Sequence, residues 1–114
     1  MPEEVENEIQ AKGLTAPRIT PADIEANIAA EHYFTAGAAA VALGQPTSGS
    51  LHLLTFCVLV LKNGFTATGE SACASPENFD AELGQKIARK NAVDKVWPLM
   101  GYELRSRLAA AELL

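Results

Sequence analysis

The sequence has few cysteines, histidines and basic residues, and each scarcity excludes a class of protein. With two Cys and two His among 114 residues, a disulfide framework is excluded, and no pair of these residues has the spacing of a metal site. We therefore expect Cys57 and Cys73 to be reduced thiols, and we expect no metal and no cofactor. Lys and Arg number 9 against 14 Asp and Glu, a net charge of -5, which argues against nucleic-acid binding because that depends on many phosphate contacts. A local basic patch could still form where four cations fall close together, at Lys86, Arg89, Lys90 and Lys95.

Long hydrophobic segments are also missing. The longest apolar run, 51–61, contains His52 and Thr55 and is too short to cross a bilayer. The acidic N-terminus lacks the apolar core of a signal peptide. A hydrophobic content of 48% with 20% charged residues is typical of a globular protein. The length predicts one domain over 18–114, preceded by a flexible polar tail, 1–17, with a short helix around Glu3 to Ala11.

The clearest local pattern is Asn63-Gly64 between two strand-like segments, 51–61 and 65–73. Asn-Gly favours a two-residue hairpin turn, which would pair Val60 with Ala67. In that register the face that we expect to be the core carries Leu54, Phe56, Val58 and Val60 opposite Ala67, Gly69 and Ser71. The first strand is apolar on both faces, which predicts a central strand or one covered by a second subunit.

A long helix is predicted over 76–97, with Ser75 as its N-cap. Pro98 is expected to end or kink it, and a further helix follows over 101–112. The spacing of apolar residues predicts a core stripe beside a smooth strip that another backbone could approach closely. The stripe comprises Phe79, Leu83 and Ile87, extended by Val93 and Trp97, and the strip comprises Gly84 and Ala88.

The segment before the hairpin completes an α+β fold. Thr20, Pro21 and Asp23 have the residue types of a helix start, so a helix is predicted over 21–32. Strand and helix both fit the alanine-rich segment that follows, and we place a third strand near 33–41. The predicted architecture is an antiparallel hairpin or meander packed by the long helix.

The start of the long helix is a candidate ligand site. Free backbone N–H groups after Ser75 can hold an anion, Phe79 can stack on a base, and the amide of Asn91 can read a base or ribose. Three arginines on the same helices could contact phosphate, namely Arg89, Arg105 and Arg107. The alternative interpretation is structural, with Phe79 in the core, Asn91 at its boundary and the arginines on a solvated helix face.

Catalytic motifs are absent from the sequence. There is no G-x-S-x-G, Walker A or G-x-G-x-x-G pattern. Glu70 and Cys73 are the residues that a small hydrolase would use, but Glu70 fits an exposed strand position, and Cys73 points to the expected core, where thiols are inert. We therefore expect a protein that binds rather than catalyses.

Three stretches together are distinctive. They are LTFCVLVLKNGFTATGESAC (54–73), SPENFDAELGQKIARKNA (75–92) and WPLMGY (97–102). This combination resembles the gene-product 49/66 family of small tailed-phage and prophage proteins, over roughly residues 20–110. The resemblance implies a phage accessory protein that acts in the host bacterial cytoplasm.

A hairpin followed by a long helix is also similar to the phage anti-Thoeris sponges, which are oligomers that sequester cyclic ADP-ribose-like signals. That similarity implies a homo-oligomer that counters host defence by sequestering a small nucleotide, either cyclic ADP-ribose-like or a cyclic oligonucleotide. The ligand positions would then be Phe79, Asn91 and Arg105 or Arg107. The alternative is a protein-interaction module, such as an inhibitor of a host protein, or a small structural accessory protein.

Overall fold

The computed structural model describes residues 3–14 and 16–112, and it confirms the α+β class. A three-stranded antiparallel sheet with the order β1-β2-β3 packs against one long helix, α4. The elements are α1 (Glu3–Ala11), α2 (Pro21–Ala26), β1 (Ile28–Thr35), α3 (Ala36–Ala42), β2 (Leu54–Leu61), β3 (Thr66–Ala72) and α4 (Ala81–Glu112). Short 3-10 turns occupy Gly49–Leu53 and Pro76–Asn78. Within the described residues, no helix is both long and apolar enough to cross a membrane.

The predicted helix over 21–32 is too long, because its second half is a strand. Thr20 caps α2 as predicted: its side-chain oxygen accepts from the backbone N–H of Asp23, whose carboxylate accepts from the N–H of Thr20. The chain then extends at Ile28 and pairs with β2. Backbone pairing with a neighbouring strand outweighs the weak helical preference of this segment. The predicted third strand therefore exists, but it spans Ile28–Thr35, and the alanines after it form α3.

The hairpin turn is a three-residue loop rather than the predicted two-residue turn. The N–H of Leu61 donates to the carbonyl of Phe65 at 2.8 Å, and the N–H of Gly64 donates to the carbonyl of Leu61 at 2.9 Å. Gly64 has a φ of 88°, whereas no non-glycine residue in the described part of the chain has positive φ, so Asn63 does not take the conformation that a two-residue turn requires. The predicted register is consequently wrong by one residue, and Val60 pairs with Thr66.

This one-residue difference reverses the faces of β2. Because successive side chains point to opposite faces, a slip of one residue moves the whole strand's core set to the other side. The buried face of β2 carries Thr55, Cys57, Leu59 and Leu61, and the face predicted as core is the outer one. For β3 the prediction was correct, since Ala67 and Gly69 point inward.

Small residues form the contact between α4 and the sheet. Ala88 and Ala92 are fully buried, and a Cβ atom at Gly69 of β3 would overlap the carbonyl oxygen of Ala88 and the nitrogen of Ala92. Helix and strand therefore meet backbone to backbone, as predicted for the smooth strip. The predicted core stripe is wrong at its centre, because Leu83 is 55% exposed and Ile87 is 43% exposed.

Helix α4 is a single helix of 32 residues that runs through Pro98. The predicted break is therefore wrong. Pro98 has no N–H to donate to the carbonyl of Asp94, but both residues are exposed. Water can satisfy that carbonyl, so the helix continues. The start is also later than predicted. Asp80 caps α4 by accepting from the N–H of Leu83 at 3.0 Å, whereas Ser75 makes no cap hydrogen bond in its 3-10 turn.

Helix α1 coincides with the short helix predicted inside the tail, and an ion pair ties it to the segment before α2. The guanidinium of Arg18 donates to both carboxylate oxygens of Glu6, at 2.8 and 2.9 Å. Hydrogen bonds from Arg18 and then Gln10 lower the pKa of Glu6 to about 2. The division into a tail, 1–17, and a domain, 18–114, stays a prediction.

Acid is expected to release α1 from this contact. Because the folded pKa of Glu6 lies below its ordinary value, its contribution to stability is present above about pH 4.5 and is lost as pH falls through about 2. In an Arg18→Ala variant, the midpoint of Glu6 should return toward its ordinary value. An NMR titration of the Glu6 side chain measures both midpoints. Lys12→Ala, which removes an exposed pair with Glu8, should leave the Glu6 midpoint unchanged.

Candidate ligand groove between α2 and α4

A groove of about 600 Å³ runs between α2 and α4, and its volume lies in the range of small-ligand sites. Its apolar lining comes from both helices, and three cations and two carboxylates complete it. The apolar residues are Pro21, Ile24, Val93 and Trp97, and the charged residues are Lys86, Arg89, Lys90, Glu25 and Asp94. The lining therefore has three positive and two negative charges, in a chain whose net charge is -5.

Arg89 is held rigidly in this groove by two carboxylates. Its Nη2 lies 2.7 Å from an oxygen of Glu25 on α2, and its Nε lies 2.9 Å from an oxygen of Glu31 on β1. Hydrogen bonds from Arg89 and then Tyr33 lower the pKa of Glu31, and the two carboxylates raise the pKa of Arg89. Arg89 thus ties α2, β1 and α4 together, and the two carboxylates balance its positive charge.

Lys86 and Lys90 line the groove one helical turn apart and are held loosely. The amine of Lys86 lies 3.4 Å from Glu82, and the amine of Lys90 lies 3.2 Å from Asp94. Both are solvent-exposed pairs within one helix, which contribute little to stability. An anion entering the groove can replace these carboxylates as the partner of both amines at small cost.

Trp97 provides the aromatic part of the groove. It is half-buried, packs against the core cluster and lines the groove with Val93, one turn earlier on α4. Base stacking on an aromatic side chain contributes about 1 to 3 kcal/mol and tolerates any base, because every base has a π face. A flat, anionic molecule could therefore contact Trp97 with its ring and the lysines with its charge.

The residues predicted as ligand contacts at the helix start lie elsewhere. Ser75 and Phe79 precede α4, and the capping carboxylate of Asp80 satisfies the free N–H of Leu83, which makes this end less favourable for an anion. Phe79 lines a small crevice of about 130 Å³ with Thr55 and Cys73, among other residues.

The other predicted contacts are distributed along α4. The amide of Asn91 donates to the backbone carbonyl of Glu70 at 2.8 Å, which joins α4 to β3. Arg105 pairs with Glu112 at 2.9 Å, and Arg107 pairs with Glu103 at 3.5 Å. At a rise of about 1.5 Å per residue, the start of α4 is about 36 Å from Arg105. The structure therefore does not bring the six predicted residues together in one chain, and Arg89 alone among them lines the groove.

A sequence signal for the groove does exist. Lys86, Lys90, Val93 and Trp97 follow one another at intervals of four, three and four residues, which places them on one face of a helix. The closeness of Lys86, Arg89, Lys90 and Lys95 predicts a basic patch, whereas the apolar spacing places Trp97 in the core stripe. No local pattern connects this face with Glu25, which comes from a helix more than sixty residues earlier.

The two cysteines are free thiols, as predicted. Burial raises the pKa of the fully buried Cys57, and the thiol of Cys73 donates to the carbonyl of Ser75 at 3.1 Å. Glu70 lies on the outer face of β3, away from the groove. Among residues 3–14 and 16–112, no cluster of His, Cys, Asp and Glu is placed to hold a metal ion.

Sheet, helix and groove together define a small α+β protein in which one long helix both closes the core and carries a charged, aromatic groove. Comparison with known families gives this class a more specific identity. Residues 19–108 match the model of the phage protein (N4 Gp49/phage Sf6 gene 66) family, and the chain belongs to that family. The resemblance of the hairpin, helix and WPLMGY stretches is thereby confirmed. Comparisons with curated proteins and with solved structures each found no match.

Proposed function

We propose that this phage protein is a non-enzymatic binding protein whose α2–α4 groove holds a small nucleotide. The observation that carries the proposal is the combination, in one groove, of the Trp97 ring with the loosely held amines of Lys86 and Lys90. The base stacks on Trp97, and the phosphate lies between the two lysine amines. Arg89 is already bound by two carboxylates, so it holds the two sides of the groove together rather than contacting the phosphate.

Binding without turnover fits a sequestering role. A protein made in excess by a phage lowers the free concentration of a signal by binding one molecule per chain, provided that its concentration exceeds both that of the signal and its own dissociation constant. We propose cyclic ADP-ribose-like molecules or cyclic oligonucleotides as the ligands, and host counter-defence in the bacterial cytoplasm as the setting. Assembly into a homo-oligomer would multiply the sites on each particle.

Replacing Lys90 with glutamine is expected to weaken nucleotide binding about tenfold, the loss of one charge-assisted contact of about 1.4 kcal/mol. Lys95→Gln is the matched control, because Lys95 is also an exposed lysine of α4 but lies outside the groove lining. Isothermal titration with cyclic ADP-ribose isomers and cyclic oligonucleotides measures the affinities. Equal affinities for the two variants would place the ligand elsewhere, and no heat with any nucleotide would contradict the proposal.

A second candidate function is a protein-interaction module that inhibits a host protein or serves as a structural accessory protein. It is favoured by the apolar patch at the start of α4, where Leu83 is 55% exposed and Ile87 is 43% exposed beside Phe79. Exposed apolar residues that line one crevice are typical of protein contacts. A chain that binds no nucleotide but captures one stoichiometric host partner, and loses it in Leu83→Lys, would favour this second function.

A further inference from the structure

The outer face of the sheet, opposite α4, has an apolar centre. We call it the outer sheet face, and β2 supplies its middle row. That row is Leu54, Phe56, Val58 and Val60, each half-buried. The rings of Phe34 and Phe56 stack across β1 and β2 with centroids 5.5 Å apart, and Phe34 is 41% exposed. An apolar centre of this kind is typical of the core of a protein interface.

Polar residues flank this centre asymmetrically. On the β1 side His32 pairs in register with Val58, and on the β3 side Thr68 pairs with the same residue. Glu70 lies one row away from Thr68 on the β3 side. Among the residues of the three strands, the outer sheet face therefore has one carboxylate, Glu70, at the β3 edge and one imidazole, His32, at the β1 edge.

We propose that a second copy of this chain packs on the outer sheet face, related by a twofold axis that runs along β2. Aligned sheets pack about 10 Å apart, so each β2 would lie over the β2 of the other copy, and each β1 over the other copy's β3. The apolar row then closes on itself, and Phe34 of each copy covers the β3 edge of the other.

Charge selects this orientation over the other face-to-face arrangement. A twofold axis along β2 places His32 of one copy over Thr68 of the other, diagonal to Glu70 in the next row, and it does so twice. An axis perpendicular to the strands instead stacks β3 on β3 and places both Glu70 carboxylates at one edge, where they repel. Like charges placed across an interface disfavour the wrong arrangement strongly.

The size of the face sets the expected strength of the dimer. A strand rise of about 3.3 Å and a strand spacing of about 4.8 Å give the face dimensions of roughly 25 by 15 Å. Closing two such faces would bury on the order of 1,000 Å² in total, which is near the lower limit for a specific interface. The dimer is therefore reversible and dissociates on dilution. Both α2–α4 grooves stay open, because they lie on the α4 side of each sheet.

Sedimentation velocity over a wide range of concentration, with the whole chain, tests the dimer and its orientation. The wild-type protein should convert from monomer to dimer as concentration rises. His32→Glu and Glu70→Lys should each weaken dimerisation at least about tenfold. The first places two carboxylates together twice, and the second replaces the carboxylate that faces the imidazole with an ammonium group. The double variant His32→Glu/Glu70→Lys should restore most of the affinity, since a carboxylate again faces a hydrogen-bond donor, with the two positions exchanged. Both positions are exposed, so these variants are expected to fold.

Val58→Lys should be monomeric at every concentration, because its two ammonium groups would face each other across the axis. Tyr102→Lys adds the same charge at a residue of α4 that is 78% exposed, and it should dimerise like the wild type. A wild-type monomer at all concentrations, or a dimer that survives Val58→Lys, would overturn the proposal. Failure of the double variant to restore dimerisation would overturn the orientation. Nucleotide titration of the monomeric variant tests the groove separately, so the two proposals can fail independently.

Discussion

Gly69→Ala is expected to destabilise the protein by about 3 kcal/mol, the upper part of the range for overpacking a close contact. The added Cβ would overlap the carbonyl oxygen of Ala88 and the nitrogen of Ala92. These are backbone atoms of α4, so they cannot move aside as a flexible side chain would. Helix α4 must lift from β3, which also strains the bond from Asn91 to the carbonyl of Glu70. Urea unfolding followed by circular dichroism measures the change.

Gly101→Ala is the matched control for this prediction. Gly101 lies inside α4, and a Cβ there would meet no atom within 4 Å. Alanine should therefore stabilise the helix by about 1 kcal/mol, because it removes the conformational entropy of glycine. The same substitution thus has opposite signs at the two positions. Equal effects would mean that α4 does not sit on Gly69.

Leu59→Ala is expected to cost about 3 kcal/mol, as for other fully buried leucines. Leu59 is 0% exposed and belongs to the cluster that includes Ala88 and Val96 of α4. Leu54→Ala, the same change on the outer sheet face, should cost about 1 kcal/mol, because Leu54 is half-buried and leaves no closed cavity. Urea unfolding at concentrations that keep the chain monomeric measures both. A larger loss at Leu54 would mean that the originally predicted register is the correct one.

The hairpin shows which part of the fold local sequence can predict. Asn63-Gly64 between two strand-like segments was sufficient to place β2 and β3. It was not sufficient for the register, because two- and three-residue loops both accept Asn-Gly and differ only in whether Asn63 takes positive φ. Since β2 is apolar on both faces, its pattern could not reveal the slip. The threonines and Glu70 of β3 identified the inner face of that strand correctly.

In helix α4 the volume of the side chains, rather than their hydrophobicity, decides which face is buried. The large residues Leu83 and Ile87 gave the strongest periodic row, yet the buried row is Ala88, Ala92 and Val96. Gly69 explains this choice. Because it has no side chain, α4 can approach β3 closely there, and only the face of α4 with the smallest side chains fits at that distance. Both halves of the contact were visible in the sequence, but their pairing follows from the tertiary fold.

The candidate groove was predictable only in part. The spacing of the α4 cations predicts a basic patch, and Arg89 is among the predicted ligand contacts. Trp97 was assigned to the core, and it does pack there, but one side of it also lines the groove. Ile24 and Glu25 reach the groove because β1 begins directly after α2 and positions that helix beside α4. Since the sequence predicted helix where β1 begins, it could not place these two residues in the groove.

Fluorescence of Trp97 tests the proposed groove most directly, because the chain contains one tryptophan. Small molecules released from protein purified out of phage-infected bacteria would be identified by mass spectrometry and added back to the stripped protein. The expected result is a nucleotide that changes Trp97 emission and saturates at one molecule per chain, with a weaker response in Lys90→Gln. A nucleotide that binds with measurable heat but leaves the Trp97 emission unchanged would contradict the assignment of the groove.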